Sequence, residues 1–280
     1  GYVNTSTDGR WNNNNMLGFV ADADKDGFYS TDALGNVIND YNGDFFTPGS
    51  PEEGFTVEFG GVNYSNNTAG THQITGAITA AYTDGDTAVI IWSGVINGTV
   101  AIVKKMSVTQ DGLFIRQEVT LTNISGSAVN DLYFMNNVDP DNNVSANGNY
   151  STYNTIVSQG DTDANHLSLV TAQQNATGPD VSGGTEETGS AIGLLSFDNR
   201  ARVSYGGFAN RDADAVYDAT SGLVGDVGSS LSNDVAISLS FDLGSLAAGA
   251  STSMVYYYNL ASNVTDLTSI LTHENGRNTD

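Results

Sequence analysis

Three stretches decide the fold: Thr87-Ala88-Val89-Ile90-Ile91-Trp92, then Val100-Ala101-Ile102-Val103 running on to Met106-Ser107-Val108, then Leu113-Phe114-Ile115-Arg116-Gln117-Glu118-Val119-Thr120-Leu121. They are rich in β-branched and aromatic residues, and their strongest period is two, the signature of strands. The turn pairs Asn97-Gly98 and Asp111-Gly112 lie between them, which predicts an antiparallel meander. Working outward, further strands are expected over 131–135, 192–197, 201–205, 235–243 and 251–260. Gly244-Ser245-Leu246-Ala247-Ala248-Gly249 is expected to join the last two as a hairpin loop. So many strands require two packed sheets, so the expected fold is all-β: a large two-sheet antiparallel β-sandwich with long loops. One short C-terminal helix is expected over 263–273, where Val264, Leu267, Ile270 and Leu271 share a face and Ser262 or Asn263 can cap the start. Residues 158–187 are polar and Gly-rich and predict a long surface loop. No repeat, linker or composition break divides the chain, so a single domain over 1–280 is expected.

Composition narrows the function. Nine Lys+Arg against 32 Asp+Glu give a formal charge of −23, which disfavours nucleic acid and anionic membranes as partners. A length of 280 residues with 39% hydrophobic content is enough to bury a real core. There is no cysteine, which removes disulfides, thiolate nucleophiles and cysteine metal sites; bound cations are the expected brace. No stretch approaches the roughly 20 apolar residues of a membrane helix. Gly1-Tyr2-Val3-Asn4-Thr5 has neither the basic nor the apolar region of a signal peptide, so the chain is either soluble as it stands or excised from a longer one. An excess of Asn, Gly, Ser and Thr, with only Lys25, Lys104 and Lys105 as lysines, suggests a turn-rich, acidic, secreted or cell-surface β protein with an extracellular address, a bias that a halophilic enzyme would share.

Two carboxylate clusters are candidate calcium sites. Asp22-Ala23-Asp24-Lys25-Asp26-Gly27-Phe28 carries oxygen ligands at alternate positions and a glycine for the sharp turn, like the first half of an EF-hand loop. Asp22, Asp24, Asp26 and Asp32 are expected to ligate by side chain and Phe28 by its carbonyl. Position twelve is Ala33 rather than glutamate. Three carboxylates within five residues repel one another unless a cation neutralises them. Asn136-Asn137-Val138-Asp139-Pro140-Asp141-Asn142-Asn143 follows the apolar run Leu132-Tyr133-Phe134-Met135, so its oxygens stand at a strand end, and Pro140 fixes the backbone between Asp139 and Asp141. Asp161-Thr162-Asp163 and Asp212-Ala213-Asp214 are smaller acidic groups, possible further cation ligands, although solvated loops are the stronger reading. His72, His166 and His273 are scattered, which argues against zinc and against Ser/His/Asp catalysis. Tyr150, Tyr153, Tyr205 and Tyr217, near loops, could line a binding surface.

Several motifs taken together resemble a known family. Gly43-Asp44-Phe45-Phe46-Thr47-Pro48-Gly49-Ser50-Pro51-Glu52-Glu53-Gly54-Phe55 comes first. Asn136-Asn137-Val138-Asp139-Pro140-Asp141 follows, with Asn149-Tyr150-Ser151-Thr152-Tyr153-Asn154-Thr155-Ile156. Ile237-Ser238-Leu239-Ser240-Phe241-Asp242-Leu243-Gly244 and Gly249-Ala250-Ser251 precede Tyr256-Tyr257-Tyr258. In order and spacing they resemble the peptide-binding domain in the ligand-binding region of giant bacterial RTX adhesins, over most of the chain. The resemblance implies a calcium-dependent β-sandwich near the distal end of a cell-surface fibre. Such a domain captures the free C-terminus of short peptides on host or neighbouring cells, with calcium meeting the terminal carboxylate, and catalyses nothing. It implies ligand binding at Asp139, Asp141, Asn142, Tyr153 and Asn154, with Asp139 and Asp141 also on the metal. The family pattern has a basic residue shortly before the Asp-Pro-Asp turn, where this chain has Asn136 and Asn137.

The alternatives are a calcium-dependent carbohydrate-binding, lectin-like module and, third, a carbohydrate-active enzyme built on paired carboxylates. The chain's own tail is a further candidate ligand. Gly276-Arg277-Asn278-Thr279-Asp280 ends in two carboxylates on one residue, so Thr279 and Asp280 of one molecule could occupy the site near Asp139 and Asp141 of another at crystal concentrations.

Overall fold

The computed structural model describes residues 29–31, 34, 37–39, 52–66, 72–110, 112–140, 150–174 and 191–261. The order is β1 (Tyr29–Thr31), β2 (Val37–Asn39), β3 (Glu52–Phe59), β4 (Val62–Ser65), β5 (Thr75–Asp84), β6 (Thr87–Ile96), β7 (Val100–Thr109), β8 (Phe114–Asn123), β9 (Val129–Asp139), β10 (Thr152–Ser158), β11 (Ser168–Gln174), β12 (Ala191–Ser196) and β13 (Ala201–Tyr205). Helix α1 (Ala213–Tyr217), β14 (Ser230–Asn233), β15 (Ile237–Leu246) and β16 (Ser251–Ala261) follow. A nine-stranded sheet runs β14-β10-β11-β12-β16-β8-β7-β6-β5, a five-stranded sheet runs β13-β15-β9-β3-β4, and β1 pairs with β2. Every strand pair is antiparallel. The all-β, two-sheet expectation therefore holds.

The meander is β5 through β8. Its β6–β7 turn places Asn97 at φ 48° and Gly98 at φ 67°, the two left-handed positions that a right-twisted hairpin requires and that asparagine and glycine tolerate best. The two large sheets face one another across one core. Phe55, Val57, Phe134, Val138, Leu239 and Phe241 meet Ile102, Val119, Leu121, Ile192, Tyr256 and Tyr258 there, all nearly or fully buried. Phe134 sits at its centre, with ring centroids 5.9 Å from Phe55, 5.9 Å from Tyr256 and 6.2 Å from Phe241. Truncating such a ring to alanine costs about 3–5 kcal/mol.

Two expectations change. Residues 158–187 are not one long loop, because β11 lies among them and pairs with β10 and β12. Gly244 to Gly249 is not a hairpin loop either: β15 belongs to the five-stranded sheet and β16 to the nine-stranded one, so this segment is an arch between sheets. The β8–β9 connection also passes from one sheet to the other, at the same end. Asn123 pins the two arches together. Its amide donates to Ser127 O (2.8 Å) and Leu246 O (2.9 Å), its backbone N–H donates to Ala250 O, and its carbonyl accepts from Gly249 N. The helix expected over 263–273 lies outside the described residues. The helix that is described, α1, packs on the outer face of the five-stranded sheet, where Ala213 and Val216 cover Met135.

Candidate functional site

Strand parity sorts the polar residues of β3 and β9. Glu53, Phe55 and Val57 point into the core with Asn136 and Val138, so Glu58 emerges on the outer face with Met135, Asn137 and Asp139. A chain segment, 206–212, is strapped across that outer face. Asn137 holds it: Oδ1 accepts from Asn210 N (3.2 Å) and Ser238 Oγ (3.0 Å), and Nδ2 donates to Phe208 O (3.2 Å). Asn210 returns Nδ2 to Gly206 O (2.9 Å) and Ser238 Oγ (3.2 Å). The strap delivers Asp212 as N-cap of α1, its carboxylate accepting from Ala215 N at 3.4 Å. The first turn of α1 then lies over β3 and β4, with Asp214 N donating to Glu58 Oε2 (3.0 Å) and Ala213 N to Asn63 Oδ1 (3.3 Å). Those contacts use backbone donors that a helix start leaves unpaired.

Glu58, Asp212 and Asp214 consequently converge, with one carboxylate oxygen from each lying within 4.8 Å of the others. Glu58 is buried and the two aspartates are exposed. The electrostatics record the crowding. Burial pushes the Glu58 carboxyl up, against the pull of the Asp214 N–H, and the Asp212 charge adds to the rise. Asp214 is raised to about 6 by its hydrogen bond to Asp212, by partial burial and by the neighbouring Glu58 and Asp212 charges. Both shifts mark a place where negative charge lacks compensation, and this cluster could hold a metal ion. Three carboxylates and no nitrogen or sulfur suit a hard cation that prefers oxygen.

The sequence-predicted residues are distributed as follows. Asp139 closes β9 and is 1% exposed, beside buried Pro140. Since Asp139 pairs with Glu52 and Tyr133 with Glu58, six residues along the strand separate Asp139 from the acidic trio. That is roughly 20 Å at the rise of an extended chain. Tyr153 on β10 is 44% exposed. Asn154 is fully buried, and its amide is spent on structure: Nδ2 faces Thr152 O, Leu231 O and Asn233 O at 3.1, 3.5 and 3.3 Å, and Oδ1 accepts from Thr152 Oγ1. It fastens edge strand β14 to β10. Asp22, Asp24, Asp26, Phe28, Asp32, Asp141, Asn142, Thr279 and Asp280 lie outside the described residues.

Asp212 and Asp214, possible cation ligands on sequence although a solvated loop is the stronger reading there, are joined by Glu58, which no sequence motif singles out. Glu58 is 156 residues from Asp214 in the chain, so no local spacing announces their meeting. The one available signal was parity, which places the charged Glu58 on the same face as Thr56 while Val57 and Phe55 alternate inward. Elsewhere, a cleft on the nine-stranded sheet is lined by Arg116, Glu118, His166, Phe197, Asp198 and Tyr257 among others. Its charges are paired, Arg116 with Glu118 at 2.6 Å and Arg200 with Asp198 at 2.5 Å.

No family model matches the sequence, and no curated protein matches it. Among solved structures it is similar to a TPR-domain containing protein from Parabacteroides distasonis (TM-score 0.38, 8% identity, 75% of this chain and 37% of that one). It is also similar to an amine oxidase from Aspergillus nidulans (0.37, 11%, 91% and 56%) and a GH36 α-galactosidase from Geobacillus stearothermophilus (0.33, 7%, 85% and 30%). The chain thus spans little more than half of the second and about a third of the other two. At such scores and identities these likenesses assign neither family nor activity.

Proposed function

We propose that the protein is a calcium-dependent adhesin module of the bacterial cell surface that binds short peptides through their free C-terminus. The observation that carries its cation dependence is the convergence of Glu58, Asp212 and Asp214 within 4.8 Å. Calcium suits this trio better than magnesium, because it accepts irregular sets of six to eight oxygens, whereas magnesium demands a near-ideal octahedron. In this reading the trio is a structural site: it neutralises the start of α1 and locks the strap to the sheet. The peptide part is supported by the resemblance to RTX adhesin peptide-binding domains and by Asp139, a carboxylate buried at a strand tip. A buried carboxylate is kept in place by donors or a cation, and calcium at Asp139 and Asp141 meets the terminal carboxylate of the peptide.

A second reading, a lectin-like module, is favoured by the cleft beside Phe197 and Tyr257, whose aromatic and paired-charge lining suits a sugar. One experiment separates the two. Calorimetric titration of calcium is followed by titration of a library of peptides with free or amidated C-termini, alongside a glycan array. Calcium-dependent binding of free but not amidated peptides is expected. Glycan binding without peptide binding selects the second reading, and absence of any calcium heat refutes both.

A further inference from the structure

The space between the sheets holds reactive groups that the cation reading does not use. Lys104 follows Val100 and Ile102 at inward parity on β7 and is 5% exposed, in a mostly apolar core that also holds a few polar groups such as Asn136. Its Nζ lies 3.8 Å from Glu53 Oε1, 4.9 Å from the centroid of Phe55 and 5.8 Å from that of Tyr256. Burial lowers the lysine's pKa, only partly restored by the Glu53 charge, so the core favours its neutral, nucleophilic amine. Against the same Glu53 oxygen lies the amide of Asn136, itself fully buried on β9. With its nitrogen toward the acceptors, Nδ2 is 3.3 Å from Glu53 Oε1 and 2.7 Å from Tyr256 Oη, while the amide oxygen is 2.5 Å from Tyr258 Oη. Tyr258 Oη is in turn 2.8 Å from Glu53 Oε1.

We propose that Lys104 and Asn136 become joined by an intramolecular amide bond across the two sheets, with Glu53 carrying the protons.

The hydrogen inventory supports the step. Glu53 Oε1, Tyr258 Oη and the Asn136 amide oxygen form a row of three oxygens with one hydroxyl hydrogen between them when Glu53 is a carboxylate. Moving a proton from the Lys104 ammonium to Glu53 supplies the second. Glu53 then donates to Tyr258 Oη, and Tyr258 donates to the amide oxygen and polarises the carbonyl. Burial holds both Tyr256 and Tyr258 far above the ordinary phenol range, with the Glu53 charge adding to it, so they remain donors.

The freed Nζ lone pair attacks Asn136 Cγ, and the carbonyl π pair moves onto oxygen. Glu53 passes a proton from Nζ to Nδ2; the oxygen lone pair re-forms the carbonyl as the Cγ–Nδ2 bond breaks, and ammonia leaves. One C–N bond forms, one breaks, and no oxidant or co-reactant is needed. Glu53 touches both nitrogens, the placement that a proton carrier requires. The product ties β7 of one sheet to β9 of the other in a chain without cysteine, where no disulfide can do so. The inference is independent of the calcium and peptide readings.

The test is a mass. The full chain is purified, unfolded in denaturant and weighed by mass spectrometry. A mass below that of the sequence by one ammonia is expected, with a branched peptide joining Lys104 to Asn136 after digestion. Glu53→Gln and Lys104→Arg should each restore the full sequence mass. The full sequence mass in the wild-type chain overturns the proposal, and so does loss of water with Lys104 joined to Glu53. Persistence of the branched peptide in Glu53→Gln overturns the role of Glu53.

Discussion

Replacing Asp214 by asparagine should change stability in opposite directions with and without calcium. At 4.8 Å or less from the Glu58 and Asp212 oxygens, one charge pair costs about 0.9 kcal/mol in water and about 3.5 kcal/mol at an effective dielectric of 20. Asp214 is exposed, so solvent screening keeps each repulsion near the lower figure. Removing both gains about 1–2 kcal/mol. The variant forfeits a favourable acid in the first turn of α1, about 0.3–1 kcal/mol. The net gain in EDTA is about 0–1.7 kcal/mol, centred on about 1 kcal/mol, which at that centre is roughly 2–4 °C in melting temperature. With calcium at a hundredfold excess over its Kd, the wild-type chain gains about 2.7 kcal/mol that a site lacking one ligand largely loses. The variant should then melt several degrees below wild type. Scanning calorimetry of both proteins in EDTA and in millimolar calcium at pH 7 reads the two signs. The same sign in both buffers, or a wild-type melting curve indifferent to calcium, refutes the cation site.

Asp139→Asn should weaken peptide binding at least tenfold in calorimetry while shifting the melting temperature less than Asp214→Asn does in calcium; the reverse ranking removes the peptide site from the end of β9. Asn154→Ala should cost about 2 kcal/mol, because carbonyls of β10 and β14 lose a buried donor. Urea unfolding measures the cost, and faster hydrogen exchange confined to β14 identifies its location. The Asp198–Arg200 pair sets an acid-side limit. Burial of Asp198 acts against its charge, but the hydrogen bonds and charge of Arg200 outweigh it and hold the carboxyl below the usual range. A depressed folded-state pKa contributes stability above the unfolded value that disappears as pH falls through the folded one. Below about pH 4, wild type should therefore lose stability more steeply than Asp198→Asn, and parallel curves between pH 4 and 2 would exclude the pair as a contributor.

Where local pattern and tertiary partner agree, the sequence was a sufficient guide. β6, β7 and β8 alternate because one face meets the core, and Asn97-Gly98 turns because both residues tolerate positive φ. β13 was expected over 201–205, the residues it occupies. β11 escaped because Ser168 and Thr171 are as buried as Leu169 and Val170, so burial on both faces erases the alternation. Helix α1 is five residues long, too short for a 3.6-residue period, and only the Asp212 cap hinted at it. The arch after β15 carries the same glycine punctuation as a hairpin, and nothing in it reveals which sheet the next strand joins. The acidic trio is a tertiary product throughout, since a β3 residue meets the start of a helix that a strap, fixed by Asn137, carries across the sheet. The parity of Lys104 with Val100 and Ile102 was legible but unread: a lysine at an inward position needs a partner, and Glu53 supplies it.

The position of β16 has a consequence for synthesis. It lies between β12 and β8, so among the described residues it is the one strand joining the half-sheet β14-β10-β11-β12 to the half-sheet β8-β7-β6-β5. Until it is made, both β8 and β12 present bare backbone edges that can pair with another nascent chain. At about 5–20 residues per second, β8 waits on the order of ten seconds for its neighbour to leave the ribosome. A chain stalled before residue 251 would carry two sticky half-sheets, and a holding chaperone would find its substrate there.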